Sequence, residues 1–147
     1  MTTMTEEELQ KKTAAALEAH RDGGPDVFLY SLFDFAFDYD TEQERVHLHV
    51  PVTEMMLNPI GFIHGGLIAY IADSALGHLC AAFTETPSVS LELKTQFLRS
   101  KKSGTLRAEA SFLKKGKNIQ FTECSIYDEE DNLMSVITGT FYALDQG

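Results

Sequence analysis

Cysteine is scarce in this chain. Only Cys80 and Cys124 occur among its 147 residues, with neither metal-ligand spacing nor a CxxC pair. A disulfide scaffold and a zinc module are therefore unsupported, and the two thiols read as small core residues. Histidine does not make up the shortfall: His47 and His49 share one face of a predicted strand, but no third ligand accompanies them and no metal site is expected. Basic charge is also in short supply. Twelve Lys and Arg stand against 22 Asp and Glu, a formal net charge of -10, which argues against a general nucleic-acid or anionic-membrane binder. Long apolar runs are missing as well. The longest, residues 67–72, stops at Asp73, and residues 1–10 are polar and acidic where a secretion signal needs an apolar stretch. What is left is a soluble chain, read as one domain over residues 1–147 in a reducing cytoplasm. Its expected partners are small molecules and proteins, with neither nucleic acid nor membrane among them.

The charge that is present is unevenly placed. Between Lys94 and Lys117 lie eight basic residues and one acid, Glu109, whereas the rest of the chain holds four basic residues and 21 acids. Such an island suits a phosphorylated ligand on an otherwise repelling surface, and it equally suits solvated strand ends.

Residues 1–24 read as a peripheral acidic helix over 5–20, closed by Asp22-Gly23-Gly24-Pro25. Phe33, Phe35, Phe37 and Tyr39 then alternate with Asp34, Ala36 and Asp38, and Val46, Leu48, Val50 and Val52 alternate with His47 and His49. The period of two predicts two half-buried strands in a hairpin. From Gly65 to Phe83 the period changes. Ile68, Ile71, Ala72, Ala75, Leu76, Leu79, Cys80 and Phe83 cover so broad an arc, at about 100° per residue, that the helix is predicted to be enclosed. Its narrow remaining edge carries Gly66, Asp73 and Gly77. Four strand-like runs follow at 89–98, 105–113, 119–127 and 133–142, separated by polar, glycine-bearing turns. The predicted architecture is α+β, an antiparallel β-sheet with a central α-helix laid on one face and an extra N-terminal helix.

The run Leu57-Asn58-Pro59-Ile60-Gly61-Phe62-Ile63-His64-Gly65-Gly66 leads directly into the enclosed helix. Paired glycines at a helix start expose backbone N–H groups at the positive end of the dipole. That place suits a carbonyl oxygen gaining negative charge in a transition state. Asp73 lies about two helical turns further along the same edge as Gly66, able to face the same cavity. Burial raises a carboxyl pKa unless neighbours offset it, and leaves a group able to take a proton from water or to attack carbon itself. His-Gly-Gly also occurs in the oxyanion loop of lipase-type α/β-hydrolases, but the Gly-x-Ser-x-Gly elbow is absent and 147 residues cannot supply that fold. Plainer roles stand beside these: Asn58 can simply open the turn before Pro59, the glycines can form a tight turn, and His64 can brace the loop.

Asn58, the triplet His64-Gly65-Gly66, and Asp73 within Ala72-Asp73-Ser74-Ala75-Leu76-Gly77 resemble, at their offsets, the signature of hotdog-fold acyl-CoA thioesterases. The likeness is to the PaaI-like group, which acts on phenylacetyl-type and related acyl thioesters, and it runs from about Phe33 to Tyr142. It implies a sheet wrapped around the central helix, with Gly66, and with it Gly65, donating backbone N–H to the thioester carbonyl. Asp73 would be general base or nucleophile, Asn58 would orient substrate or water, His64 would brace the loop, and Ser90 would help place the attacking water. The resemblance also implies a homodimer or homotetramer whose site lies between subunits, so that Asp73 faces the HGG loop of its partner. Lys114, Lys115, Lys117 and Asn118 resemble the hairpin that touches the nucleotide end of coenzyme A. The implied reaction is hydrolysis of a small or medium, aromatic or aliphatic acyl-CoA to free acid and CoA, with no metal and no cofactor beyond the CoA of the substrate. A hotdog enoyl-CoA hydratase or dehydratase and a non-catalytic acyl-CoA-binding sensor are the alternatives.

Overall fold

The computed structural model describes residues 3–21 and 27–145. Its elements run α1 (Glu6–Arg21), α2 (Phe28–Leu32), β1 (Ala36–Asp40), β2 (Arg45–Pro51), a 3₁₀ turn (Glu54–Met56), α3 (Gly65–Phe83), β3 (Ser88–Phe97), β4 (Thr105–Lys115), β5 (Ile119–Asp128) and β6 (Leu133–Ala143). All six strands form one antiparallel sheet in the order β1-β2-β4-β5-β6-β3. The predicted hairpin is β1–β2, with Ala36 opposite His49 and Asp40 opposite Arg45.

The alternation that predicts the strands also explains where the core sits. Val46, Leu48 and Val50 of β2, Leu106, Ala108 and Ala110 of β4, Cys124 and Ile126 of β5, and Ile137 and Phe141 of β6 are buried. They meet Ile68, Ile71, Ala72, Ala75, Leu76, Leu79 and Cys80, the buried arc of α3. Each large aliphatic in this layer contributes on the order of 1.5–3 kcal/mol. Leu76 of α3 packs over β6 at Gly139, where an added Cβ would lie 3.0–3.2 Å from the side chains of Leu93, Leu76 and Phe141, so bare backbone forms part of the contact. Both thiols belong to this core, and burial pushes Cys80 up to about 11 and Cys124 up to about 12. By length and composition alone α3 could cross a bilayer, a feature that ending the apolar run at Asp73 conceals. In this fold the helix packs its buried arc against one face of the sheet.

Two differences from the sequence expectation have local causes. The first strand begins at Ala36, because Phe33 ends the unpredicted helix α2 and Asp34 adopts φ 53, with its carboxylate held by Lys12 of α1. The alternation of Phe33, Asp34 and Phe35 is thus a turn. A five-residue helix without a capping side chain leaves too short an apolar pattern to separate from a strand. The N-terminal helix is present and peripheral, with Ala16 its buried residue. Thr5 and Glu8 cap it reciprocally, the Glu8 amide donating to Thr5 Oγ1 at 3.2 Å and the Thr5 amide to Glu8 Oε2 at 2.7 Å. The expected closing turn, Asp22 to Pro25, lies outside the described residues.

The two sheet edges differ. β3 is an outer strand, and Val89, Leu91 and Phe97, with Leu98 just beyond it, are exposed large apolar side chains. It runs back along α3, which brings Phe97 to Gly65 at the helix start and Ser90 to Asp73 in the helix middle.

Candidate active site

The loop before α3 is built from its own polar groups. Asn58 Oδ1 accepts from the amides of Ile60 and Phe62, each at 3.1 Å, while the Asn58 amide donates to Phe62 O at 2.6 Å and the Gly61 amide to Asn58 O at 2.9 Å. The turn role of Asn58 is therefore real, and its side-chain carbonyl is spent on the loop. Only its Nδ2 donor stays uncommitted among the described residues. Two further bonds pin the loop, Ile63 N–H to Lys101 O and His64 N–H to Met56 O, both 2.8 Å.

His64 is the N-cap of α3, and its Nδ1 accepts from the Gly66 amide at 2.9 Å. An accepting Nδ1 places the ring proton on Nε2. Leu67 and Ile68 donate to His64 O at 2.9 and 3.2 Å. Among the helix-start amides this leaves Gly65 N–H without an acceptor among the described residues. The sequence placed Gly66 first and Gly65 second as donors to a carbonyl; in this geometry Gly65 holds the uncommitted amide, and Gly66 is bound to the bracing histidine. Substitution is constrained at both, since a Cβ would lie 3.1 Å from the Phe97 ring at Gly65 and 3.1 Å from His64 Nδ1 at Gly66.

Asp73 is half-buried on α3 and faces a groove of about 460 Å³ that Tyr30, Tyr70, Gly77, His78 and Ser90 help to line. Burial raises its pKa above the usual carboxylate value, and a hydrogen bond from Ser90 offsets part of the rise. No cation pairs with it among the described residues. Ser90 reaches it from β3 beside a bulge between Ser90 and Glu92, which leaves Leu91 60% exposed; bulges of this kind re-aim side chains. At Gly77, one turn beyond Asp73, an added Cβ would meet nothing within 4 Å, so the helix backbone there borders open space in the groove.

The expectation that Asp73 and Gly66 face one cavity within the chain is not met. Gly66 and His64 open into a separate hollow of about 360 Å³ with Met55, Met56, Leu57 and Leu67. Seven residues of helix separate the two by roughly 10 Å, and a shared helix edge fixes direction without bringing groups together.

The sequence description of the Thioesterase superfamily matches residues 60–135, just over half of the chain, and spans the HGG loop, α3 and most of the sheet. This chain is a member of the thioesterase superfamily. The thioesterase is 30% identical over 97 residues to a 1,4-dihydroxy-2-naphthoyl-CoA hydrolase of Listeria monocytogenes, covering 65% of this chain and 79% of that one. It is 29% identical over 127 residues to the Escherichia coli enzyme of the same name, covering 84% and 89%. Its fold superposes on a Bacillus halodurans protein crystallised with CoA, at TM-score 0.85 and 24% identity over 99% of both chains. It also superposes on the E. coli PaaI protein, at TM-score 0.75 and 20% identity over 93% of this chain and 96% of that one. The six-stranded sheet around α3 is the hotdog fold, and the thioesterase is a thioester hydrolase.

The predicted nucleotide-end residues lie at the other end of α3. Lys115, Lys117 and Asn118, in the β4–β5 turn, border a hollow of about 420 Å³ beside Phe83 and Thr84. Lys115 is committed there, donating to Glu44 at 2.8 Å and to Phe83 O at 3.3 Å, so Lys114 and Lys117 carry the charge free of ion pairs among the described residues. The basic island is partly neutralised in three dimensions, because acids brought in by neighbouring elements meet it. Lys101 pairs with Asp128 and Glu129, Arg107 with Glu109 and Asp131, and Lys102 lies over the Phe62 ring. Sequence reasoning missed Tyr30, Tyr70 and His78, which line the Asp73 groove. Tyr70 and His78 sit at helical offsets of three before and five after Asp73, a signal readable once the groove side of α3 is known.

Proposed function

We propose that this thioesterase hydrolyses the thioester of a small or medium acyl-CoA, aromatic or aliphatic, at a site shared between two copies of the chain, with Asp73 as general base or nucleophile. The observation that carries the reading is a half-buried carboxylate in an open groove, with the Ser90 hydroxyl near it and no cation paired with it among the described residues. Water and a carboxylate suffice for the reaction, which needs neither metal nor redox cofactor. The relatives named as 1,4-dihydroxy-2-naphthoyl-CoA hydrolases and the CoA in the B. halodurans crystal support CoA as the thiol.

The edge of β3 supports the shared site. A long apolar edge strand invites a second copy, and a twofold axis pairs such strands antiparallel. The Phe97 end of one strand then meets the Ser90 end of the other. Phe97 lies on Gly65 and Ser90 on Asp73, so the pairing carries the Gly65 amide of one subunit toward the partner's Asp73, whereas within one chain the two lie roughly 12 Å apart along the helix. In the joined site Gly65 N–H polarises the thioester carbonyl and Asp73 either deprotonates the attacking water or attacks the carbonyl carbon. Ser90 holds that carboxylate and the water, Asn58 Nδ2 orients the substrate, and His64 fixes Gly66 and the loop. Lys114, Lys117 and Asn118 meet the nucleotide end of CoA, with Lys115 bracing their turn. A homodimer is the smallest active unit, and packing two of them gives a homotetramer; the cytoplasm supplies acyl-CoA.

Free thiol release from a panel of acyl-CoAs tests the reading. The native protein turns over at least one of them, and Asp73→Asn loses at least about 10²-fold. Binding without thiol release overturns it in favour of a sensor, and hydration of an enoyl-CoA in favour of a hydratase.

A further inference from the structure

Between β3 and β4, residues 98–104 lie outside the strands and run beside the loop that precedes α3. The contacts pair in opposite chain order. The Phe97 ring faces Gly65, where a Cβ would lie 3.1 Å from it. Lys101 O accepts the Ile63 amide at 2.8 Å, and the Lys102 ammonium stands 4.7 Å over the Phe62 ring. Both ends of the connection are fixed by backbone, since Leu98 and Arg99 donate to Met134 O at 2.9 and 3.1 Å and Gly104 O accepts from Val52 N–H at 2.8 Å. Along it, residues 98–100 and 102–104 are exposed, and Lys101 alone is turned inward, its side chain 18% exposed.

The Lys101 ammonium is what holds the connection inward. It donates to Glu129 Oε2 at 2.5 Å and lies 3.6 Å from Asp128 Oδ2. Both acids belong to the β5–β6 turn, which is closed by its own polar groups. Asp128 Oδ1 accepts the Glu130 and Asn132 amides at 2.9 Å each, and Oδ2 accepts Asn132 Nδ2 at 3.1 Å. Glu129 comes this close because Gly104, at φ 95, has no side chain: a Cβ there would lie 2.5 Å from Glu129 Oε1. Lys101 thus grips a closed turn with its side chain and the loop with its carbonyl. An ion pair with a half-exposed partner contributes little to the stability of a whole domain; its effect is local, on where the Lys101 carbonyl sits.

Ile63 stands two residues before Gly65, whose amide has no acceptor among the described residues. Donors to a developing oxyanion act from about 2.7–3.1 Å, and a misplacement of about 1 Å costs up to about 10²-fold. We propose that Lys101 is a positioning residue for the hydrolysis: anchored on the β5–β6 turn, it fixes through its carbonyl the loop that aims the Gly65 amide. The inference rests on the hydrolase reading, in which that amide polarises the thioester carbonyl, and extends it to a residue that touches no substrate.

The test measures kcat, KM and Tm with an acyl-CoA that the native protein turns over, in Lys101→Met, Lys101→Arg, Glu129→Gln and Arg107→Met. Methionine keeps an apolar stem and removes the charge. Lys101→Met should lower kcat about tenfold or more and leave KM within about twofold, because the amide gains most as charge develops in the transition state. The Ile63 amide should exchange faster with solvent deuterium, while Tm changes little. Lys101→Arg keeps the charge and should recover most of kcat, and Glu129→Gln should fall between the native protein and Lys101→Met. Arg107 pairs with Asp131 of the same turn at 2.9 Å and makes no hydrogen bond to the loop among the described residues, so Arg107→Met should leave kcat unchanged. An unchanged kcat in Lys101→Met, a loss confined to KM, a loss that arginine does not repair, or an equal loss in Arg107→Met overturns the inference alone. If Lys101→Met fails to fold, Glu129→Gln carries the comparison, and an unchanged kcat there overturns the inference. Failure of the native protein to release thiol from any acyl-CoA overturns the hydrolase reading and this inference with it.

Discussion

Consider the loop 57–66 beside the helix edge around Asp73. In the loop, Asn58 accepts two amides, His64 accepts a third, and the backbone is tied to Met56 and Lys101. On the helix edge Asp73 has burial against it and one hydroxyl in its favour, while one nitrogen of His78 is unpartnered among the described residues. The loop spends its side chains on its own shape and offers a backbone amide. The helix edge spends almost nothing on shape and offers side chains. Polar groups that satisfy one another locally are building structure, and half-buried groups left short of partners are where a ligand gains the most.

The comparison is broken most completely at the strand that lies along both regions. Leu91→Arg on the free edge of β3 should give a monomer by sedimentation and a loss of turnover at least as large as that of Asp73→Asn; a dimer with full activity would detach β3 from the site. Within the loop, Asn58→Ala strands two backbone amides and should cost about 1–3 kcal/mol, lowering Tm by several degrees. The helix edge should respond in the opposite sense. The folded protein holds the Asp73 proton to a higher pH than the unfolded chain does, so this group takes stability away as pH rises through the ordinary carboxylate range and beyond it. Asp73→Asn should therefore melt at a higher temperature than the native protein at pH 7, the gap closing below about pH 4; a lower Tm at neutral pH would show that the carboxylate stabilises the fold. The smallest effect belongs to Ser90→Ala. Its hydroxyl favours the charged carboxylate, so its removal raises the Asp73 pKa further and moves the acid limb of the rate profile to higher pH, with the plateau changed only several-fold.

Much of this was legible from residue order. Alternation in 46–50, the strand-like runs separated by polar turns after residue 88, and the broad apolar arc of α3 were enough to predict the sheet and its enclosed helix. Which face of β3 and β5 is covered was not legible, since Val89, Leu91, Phe97 and Phe121 are exposed while Gln120 and Thr122 are buried. The HGG and Asp73 motif pointed to the two hollows on which the proposed site is built. The turn at Phe33–Phe35 escaped because Asp34 mimics the polar member of an alternating strand while adopting φ 53. The separation of Gly66 from Asp73 escaped because periodicity reports angle around a helix and is silent about what a neighbouring strand covers. Lys115, Lys101 and Arg107 read as free cations because their acids, Glu44, Asp128, Glu129 and Asp131, come from elsewhere along the sequence.

The shared site is tested most directly by mixing two inactive variants, Gly65→Val and Asp73→Asn, unfolding and refolding them together, and measuring thiol release against each variant alone. If each site takes Gly65 from one subunit and Asp73 from the other, half of the dimers are mixed and each carries one intact site, restoring roughly a quarter of native activity. No recovery above the separate variants, in a sample shown to contain mixed dimers, would place both groups in one chain and contradict the shared site.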